Sequence, residues 1–186
     1  MYCEVRPVEL YDEQIERARL YKLFSSLFME EPTEEVLLQL REMFEMKFDD
    51  TPGEVAMDFG NLFLNPAAHL SPHESLYNYS LEETPKLWGK ATEEVQAFYR
   101  SVGLTIDEEA ALIPDHLAME LLFMSYLIEN SLVEQQKTFM EDHLFRWIPD
   151  YCDEVQKHAR TTFYREIAVL VREFVVSDHE ELGGGS

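Results

Sequence analysis

Apolar side chains recur at helical spacing over almost the whole chain. Ile15, Ala18, Tyr21, Phe24, Leu27 and Phe28 keep the three-and-four interval that stacks side chains on one helix face. A second helix is expected at "PTEEVLLQLREMF", with Thr33 as N-cap, Glu34 and Glu35 in the positive first turn, and Val36, Leu37, Leu40, Met43 and Phe44 as the inward stripe. "TPGEVAMDFGNLF" predicts a third: Thr51 caps it, Pro52 takes the first helical position, and Glu54 completes a capping box.

After Phe63 the period lapses. The stretch "LNPAAHLSPHESLYNYSLEETP" holds three prolines and no sustained pattern, the mark of a functional or mobile segment in a compact domain. Helix resumes at "TEEVQAFYRSVG", with Val95, Phe98, Tyr99 and Val102 inward and Gly103 suited to a left-handed C′ position. "IPDHLAMELLFMSYLIEN" is apolar almost all round and predicts the central helix, starting at Pro114 and running to about Asn130 or Leu132. Two further helices are expected, one around "MEDHLFRWIPDYCDEVQKHA", bent or divided at Pro149, and one at "TFYREIAVLVREFV". No alternating strand pattern and no repeat is present. The expected fold is all-α, a single-domain helical bundle over residues 1–182, with one long irregular loop near 64–85 and a Gly/Ser tail at 183–186.

Composition agrees with a folded globule: 46% apolar and 12% aromatic residues. The formal charge of −22 changes the picture more, since it repels phosphate backbones and anionic membranes and favours a cationic partner. Neither nucleic acid nor stable membrane insertion is expected, as no apolar run approaches the ~20 residues a bilayer requires. Cys3 and Cys152 fit no metal or redox spacing and are expected to be reduced packing residues. With no basic-then-apolar leader at its start, the chain is expected to be cytoplasmic.

The templates for nucleophilic, nucleotide and zinc-protease chemistry are absent. Asp115 and His116, at the mouth of the central helix, admit two readings: capping of that helix, or reception of a ligand. Glu120, one turn into an apolar helix, must be paired, exposed or functional. A metal reading is the alternative: His116 and Glu120 share a helix face, and His69, His73, Glu74 and His143 would have to converge on them. Repeated Glu-x-x-His pairs, usual in di-metal bundles, are missing.

"PDHLAMELLFM" resembles the signature of the TorD/DmsD/NarJ-like redox-enzyme maturation chaperones. "DFGNLFLNP…SPHESLY", "FYRSVGL" and "HLFRWIPDYCDEVQKHARTTFYREIAVLVREF" agree with the same family in order. The resemblance implies an all-α cytoplasmic chaperone, not an enzyme and without a cofactor of its own. Its partner would be the precursor of a molybdoenzyme catalytic subunit, held through a basic, apolar N-terminal peptide of twin-arginine type. Carried over position by position, the peptide site comprises Pro114, Asp115, His116 and Glu120 from the signature, and Pro72, Glu74, Ser75 and Tyr77 from the loop. Leu122 stands where many members carry a second acid, and His73 and Leu76 vary the loop pattern. The loop after Phe63 also offers a hinge for a helix-swapped dimer beside the monomer.

Overall fold

The computed structural model describes residues 12–65, 70–80, 84–105 and 112–183. Cys3, His69 and the last three residues of the tail lie outside them. The described residues form eight α-helices: α1 (Asp12–Met29), α2 (Glu34–Met43), α3 (Pro52–Phe59), α4 (Lys90–Ser101), α5 (Leu117–Glu129), α6 (Val133–Phe139), α7 (Phe145–His158) and α8 (Thr162–Glu181). Among the described residues there is no strand, only one isolated antiparallel bridge between His73 and His116. The all-α class and the bundle are as expected.

Local chemistry sets the helix ends where the sequence placed them. Thr33 caps α2, its hydroxyl accepting from the Val36 amide at 3.3 Å. Thr51 and Glu54 form the capping box of α3 with Pro52 inside the first turn. α4 closes at Gly103, whose φ of 83° lets the Leu104 amide turn back to the Tyr99 carbonyl. Met43, expected inward on α2, is 60% exposed. Nothing packs over that end of the stripe, so the thioether faces solvent.

α5 lies at the centre, with Leu117, Ala118, Leu121, Met124 and Leu127 fully enclosed. α1 packs along it and α7 along α8. Each enclosed Leu or Phe side chain contributes about 1.5–3 kcal/mol. The Ser25 hydroxyl adds a bond from α1 to the Ala118 carbonyl at 2.7 Å. The start of α8 is held from across the chain: Asp58 accepts from the amides of Arg160 and Thr161 at 2.9 and 2.7 Å.

Two features depart from expectation. α7 continues through Pro149, and the irregularity falls upstream, in a π-helical turn at Met140–Leu144 that joins α6 to α7. The extra residue of such a turn re-aims the side chains around it, which matters for His143. α5 begins at Leu117, three residues later than Pro114. Pro114 instead occupies the second position of a tight turn closed by the His116 amide on the Ile113 carbonyl at 3.0 Å.

Candidate functional site

Between the turn at Pro114 and the start of α5, His116 keeps an extended backbone because the residues around it are paired with the loop. The Leu117 amide donates to the Pro72 carbonyl at 2.8 Å, and the Glu74 amide to the Asp115 carbonyl at 3.0 Å. These bonds lay residues 72–74 antiparallel to 115–117, so the signature and the loop, some forty positions apart in sequence, become one unit.

Side chains complete the seam. Asp115, fully buried, accepts from the Ser75 amide through Oδ2 at 2.9 Å, while its Oδ1 has no partner. Asp115 thus stands before the helix, not in its first turn, and answers the loop. The cap of α5 is His116, whose Nδ1 accepts from the Ala118 amide at 3.1 Å. That bond requires a bare Nδ1 and so a neutral ring. Burial first, then the nearby His73, 5.1 Å away ring to ring, lower the His116 pKa to about 4 against the opposing pull of Asp115.

Glu120 resolves as paired and buried. Its Oε2 accepts from the indole of Trp147 at 3.0 Å, and Oε1 receives no donor. Burial, and then the adjacent Glu74, hold its pKa well above the usual carboxylate range. A protonated Glu120 is itself a donor, and Glu74 is the acceptor beside it. Glu74 is also fully buried, with His143 Nδ1 at 2.9 and 3.0 Å from its two oxygens and Asn78 donating at 2.6 Å. The π-helical turn is what carries His143 to this place.

All eight residues expected at the site are brought together. Pro72, Glu74, Ser75, Pro114, Asp115, His116 and Glu120 are buried, and Tyr77 is half-buried against Trp147 and Tyr151 at ring distances of 5.7 and 5.4 Å. Burial raises the Tyr77 phenol to about 12. The reading of the sequence missed Trp147, Asn78 and Tyr99, the last donating to the Pro114 carbonyl at 2.9 Å. Spacing held a partial signal: Asn78 lies four after Glu74 and Trp147 four after His143.

A groove of about 700 Å³ adjoins the cluster at Asn78 and His143, and none of the eight expected residues lines it. Asn78 and Tyr79 form one wall, Ala91, Glu94 and Phe98 of α4 another, and Asp142, His143 and Arg146 the third. Its cations are matched internally, Lys90 with Glu94 and Arg146 with Asp142, each at 3.5 Å. Among the described residues, no three His, Cys, Asp or Glu side chains are arranged to hold a metal ion, and His116 Nδ1 is engaged as a cap. Cys152 is a buried packing residue whose thiol is pushed up by burial. Among the described residues, no helix is long and apolar enough to cross a membrane.

The neutral cap predicts a pH dependence. An unfolded His116 takes a proton near 6.5 and the folded one only near 4, so stability is full above 6.5 and declines as pH falls toward 4. The decline amounts to about 3 kcal/mol. His116→Asn keeps a side-chain acceptor without the titration, and urea unfolding of the two proteins between pH 7 and 4 should show this slope in the parent and its loss in the variant.

The described residues form an all-helical bundle with a buried acid–histidine seam beside an open groove. Residues 28–153 match the family described as nitrate reductase delta subunit. The chain is 30% identical to a chaperone protein TorD from a Psychrobacter species, over 96% of its own length and 85% of that protein's. It is 26% identical to the TorD chaperone of Colwellia psychrerythraea, over 94% of each. A crystal structure of a redox enzyme maturation protein from Archaeoglobus fulgidus superposes with a TM-score of 0.60 at 20% identity, covering 91% of this chain and 99% of that one. This chain belongs to the TorD/NarJ family of redox-enzyme maturation chaperones, a family of binding proteins and not of enzymes.

Proposed function

We propose that this protein is a cytoplasmic chaperone for the catalytic subunit of a molybdenum-cofactor oxidoreductase. It binds the basic, apolar N-terminal leader of twin-arginine type, or the apo form, and retains it until cofactor insertion and folding precede export or assembly. The observation that supports this reading is that the groove is walled by Asn78 and Tyr79, which follow directly on the segment that Asp115 and His116 pin, and by His143, the partner of Glu74. Its walls mix Ala91 and Phe98 with Glu94 and Asp142, chemistry suited to alternating apolar and cationic side chains.

The charge of −22 steers a cationic leader toward the protein, and its arginines compete with Lys90 and Arg146 for Glu94 and Asp142. Each such hydrogen bond is worth about 1.5–3 kcal/mol, and some ~300 Å² of buried apolar peptide about 7 kcal/mol. Ordering the peptide costs roughly 2–5 kcal/mol, and lost rigid-body freedom several more. Micromolar affinity, about −8 kcal/mol, is the balance.

Fluorescence anisotropy of a labelled peptide with two adjacent arginines ahead of an apolar run tests the reading. Binding should be micromolar, weaken with salt, and fall about a hundredfold when both arginines become glutamine. Equal affinity for the two peptides would remove the reading's electrostatic basis.

A further inference from the structure

A second hollow, of about 460 Å³, opens at the amino end of α4 beside the groove. Ser75, Thr84, Lys86, Trp88 and Gly89 contribute to its wall. The N-cap of this 12-residue helix is Gly89, which has no side chain to cap it, and among the described residues no other side chain is bonded to the first amides. Those of Lys90, Ala91 and Thr92 therefore present the positive end of the helix to the space around them.

An independent feature lies opposite. Ser75 is only 4% exposed, its hydroxyl has no hydrogen-bond partner, and it lines the same hollow. Buried polar groups are almost always satisfied, so an unsatisfied hydroxyl beside unsatisfied amides marks a place where an acceptor belongs. The Ser75 amide is already fixed by Asp115, which holds the side chain in position. Residue 89 has no room for a side chain: a Cβ there would stand 2.9 Å from the Lys86 carbonyl and 3.4 Å from the Ser75 Cβ. The helix end is thereby left bare.

Lys86 and Lys90 add cationic charge at the rim, Lys90 shared with Glu94, and Glu93 is the acid on the wall. The acidic body repels anions at long range, but physiological salt screens that field beyond about 8 Å. At contact distance the amides, the hydroxyl and the lysines dominate.

We propose that this hollow is an oxyanion site, receiving a phosphate group or a carboxylate between the Ser75 hydroxyl, the first amides of α4 and Lys86. It is a second binding site, next to the groove and joined to it by Asn78, Tyr79, Lys90 and Ala91, which line both, and it does not depend on which leader the groove takes.

Inorganic phosphate, titrated at constant ionic strength against sodium chloride, tests the proposal. Trp88 is 61% exposed on the wall, whereas Trp147 is fully enclosed, so Trp88 emission reports occupancy. Phosphate should give a saturable change with a millimolar midpoint. Ser75→Ala and Lys86→Gln should each weaken it about fivefold without lowering the unfolding midpoint of the phosphate-free protein. Acetate run in parallel separates the sources: a response to phosphate alone points to a free phosphate-bearing ligand, and a response to both to a carboxylate of the bound polypeptide. A phosphate response no larger than that of chloride, or one untouched by both substitutions, overturns the site.

Discussion

Asp178→Ala should lower the unfolding free energy by about 3–5 kcal/mol. Asp178, its side chain 4% exposed, receives the Arg17 guanidinium through Nε and, at 2.8 Å, through Nη2, and accepts the Tyr21 hydroxyl at 2.5 Å. Arg17 in turn donates to Gln136 at 2.8 Å, and Gln136 to the Leu127 carbonyl at 3.1 Å. One carboxylate therefore fastens α8 to α1, and through Gln136 to α6 and α5. Removing it strands a largely buried guanidinium and a fully buried phenol, and the cost of those unpaired groups exceeds what the intact ion pair contributes. Urea unfolding at neutral pH measures the loss. A change under about 1 kcal/mol would mean that water already solvates the pair as it does a surface salt bridge. Since none of Arg17, Tyr21, Gln136 and Asp178 lines the groove, the protein that remains folded should bind leader peptide normally.

Trp147→Ala carries a comparable loss and reaches the site as well. The indole is fully enclosed, stacked on Tyr77 at 5.7 Å and tilted against Tyr151 at 5.4 Å, and its N–H is the donor to Glu120. Truncation opens a cavity costing about 3–5 kcal/mol. The abandoned Glu120 oxygen adds about 1–3 kcal/mol. Trp147→Phe separates the two effects, because it keeps most of the packing but deletes the donor, and should cost only about 1–3 kcal/mol. If the phenylalanine variant is as unstable as the alanine one, the hydrogen bond and not the volume dominates. Tyr77 loses its stacking partner in the alanine variant, so the wall of the groove should loosen and peptide affinity fall with stability.

What could be foreseen from the sequence follows the range of the interactions concerned. The caps of α2 and α3 depend on residues within one turn, Thr33 with Val36 and Thr51 with Glu54, and local chemistry sufficed to find them. The start of α5 did not yield to that reasoning. Pro114 suits a first helical turn, but the bonds from Leu117 to Pro72 and from Glu74 to Asp115 hold His116 extended ahead of the helix, and both involve a segment about forty positions away. Pro149 misled for the converse reason. It was expected to bend or divide its helix; α7 is not divided there, and the added residue sits in the π-helical turn at Met140–Leu144, for which no local pattern gives warning.

The candidate site was legible as a set of residues and not as a geometry. Family resemblance placed the signature beside the loop, and the fold joins them. That Asp115 answers the loop amide and that Glu120 accepts from the Trp147 indole depend on pairings between distant segments. His143 shows the limit well: counted as a possible metal ligand in the sequence, it stands within 2.9 Å of Glu74 as a hydrogen-bond partner instead.

Hydrogen exchange of the protein with and without saturating leader peptide tests the central claim most directly, namely that the segment pinned by Asp115 and His116 forms the wall of the client groove. New protection should appear at residues 74–80, in the first turns of α4, and around the π-helical turn that carries His143. Protection confined to α2 and α3, with residues 74–80 unchanged, would contradict the account and move the client to the opposite face.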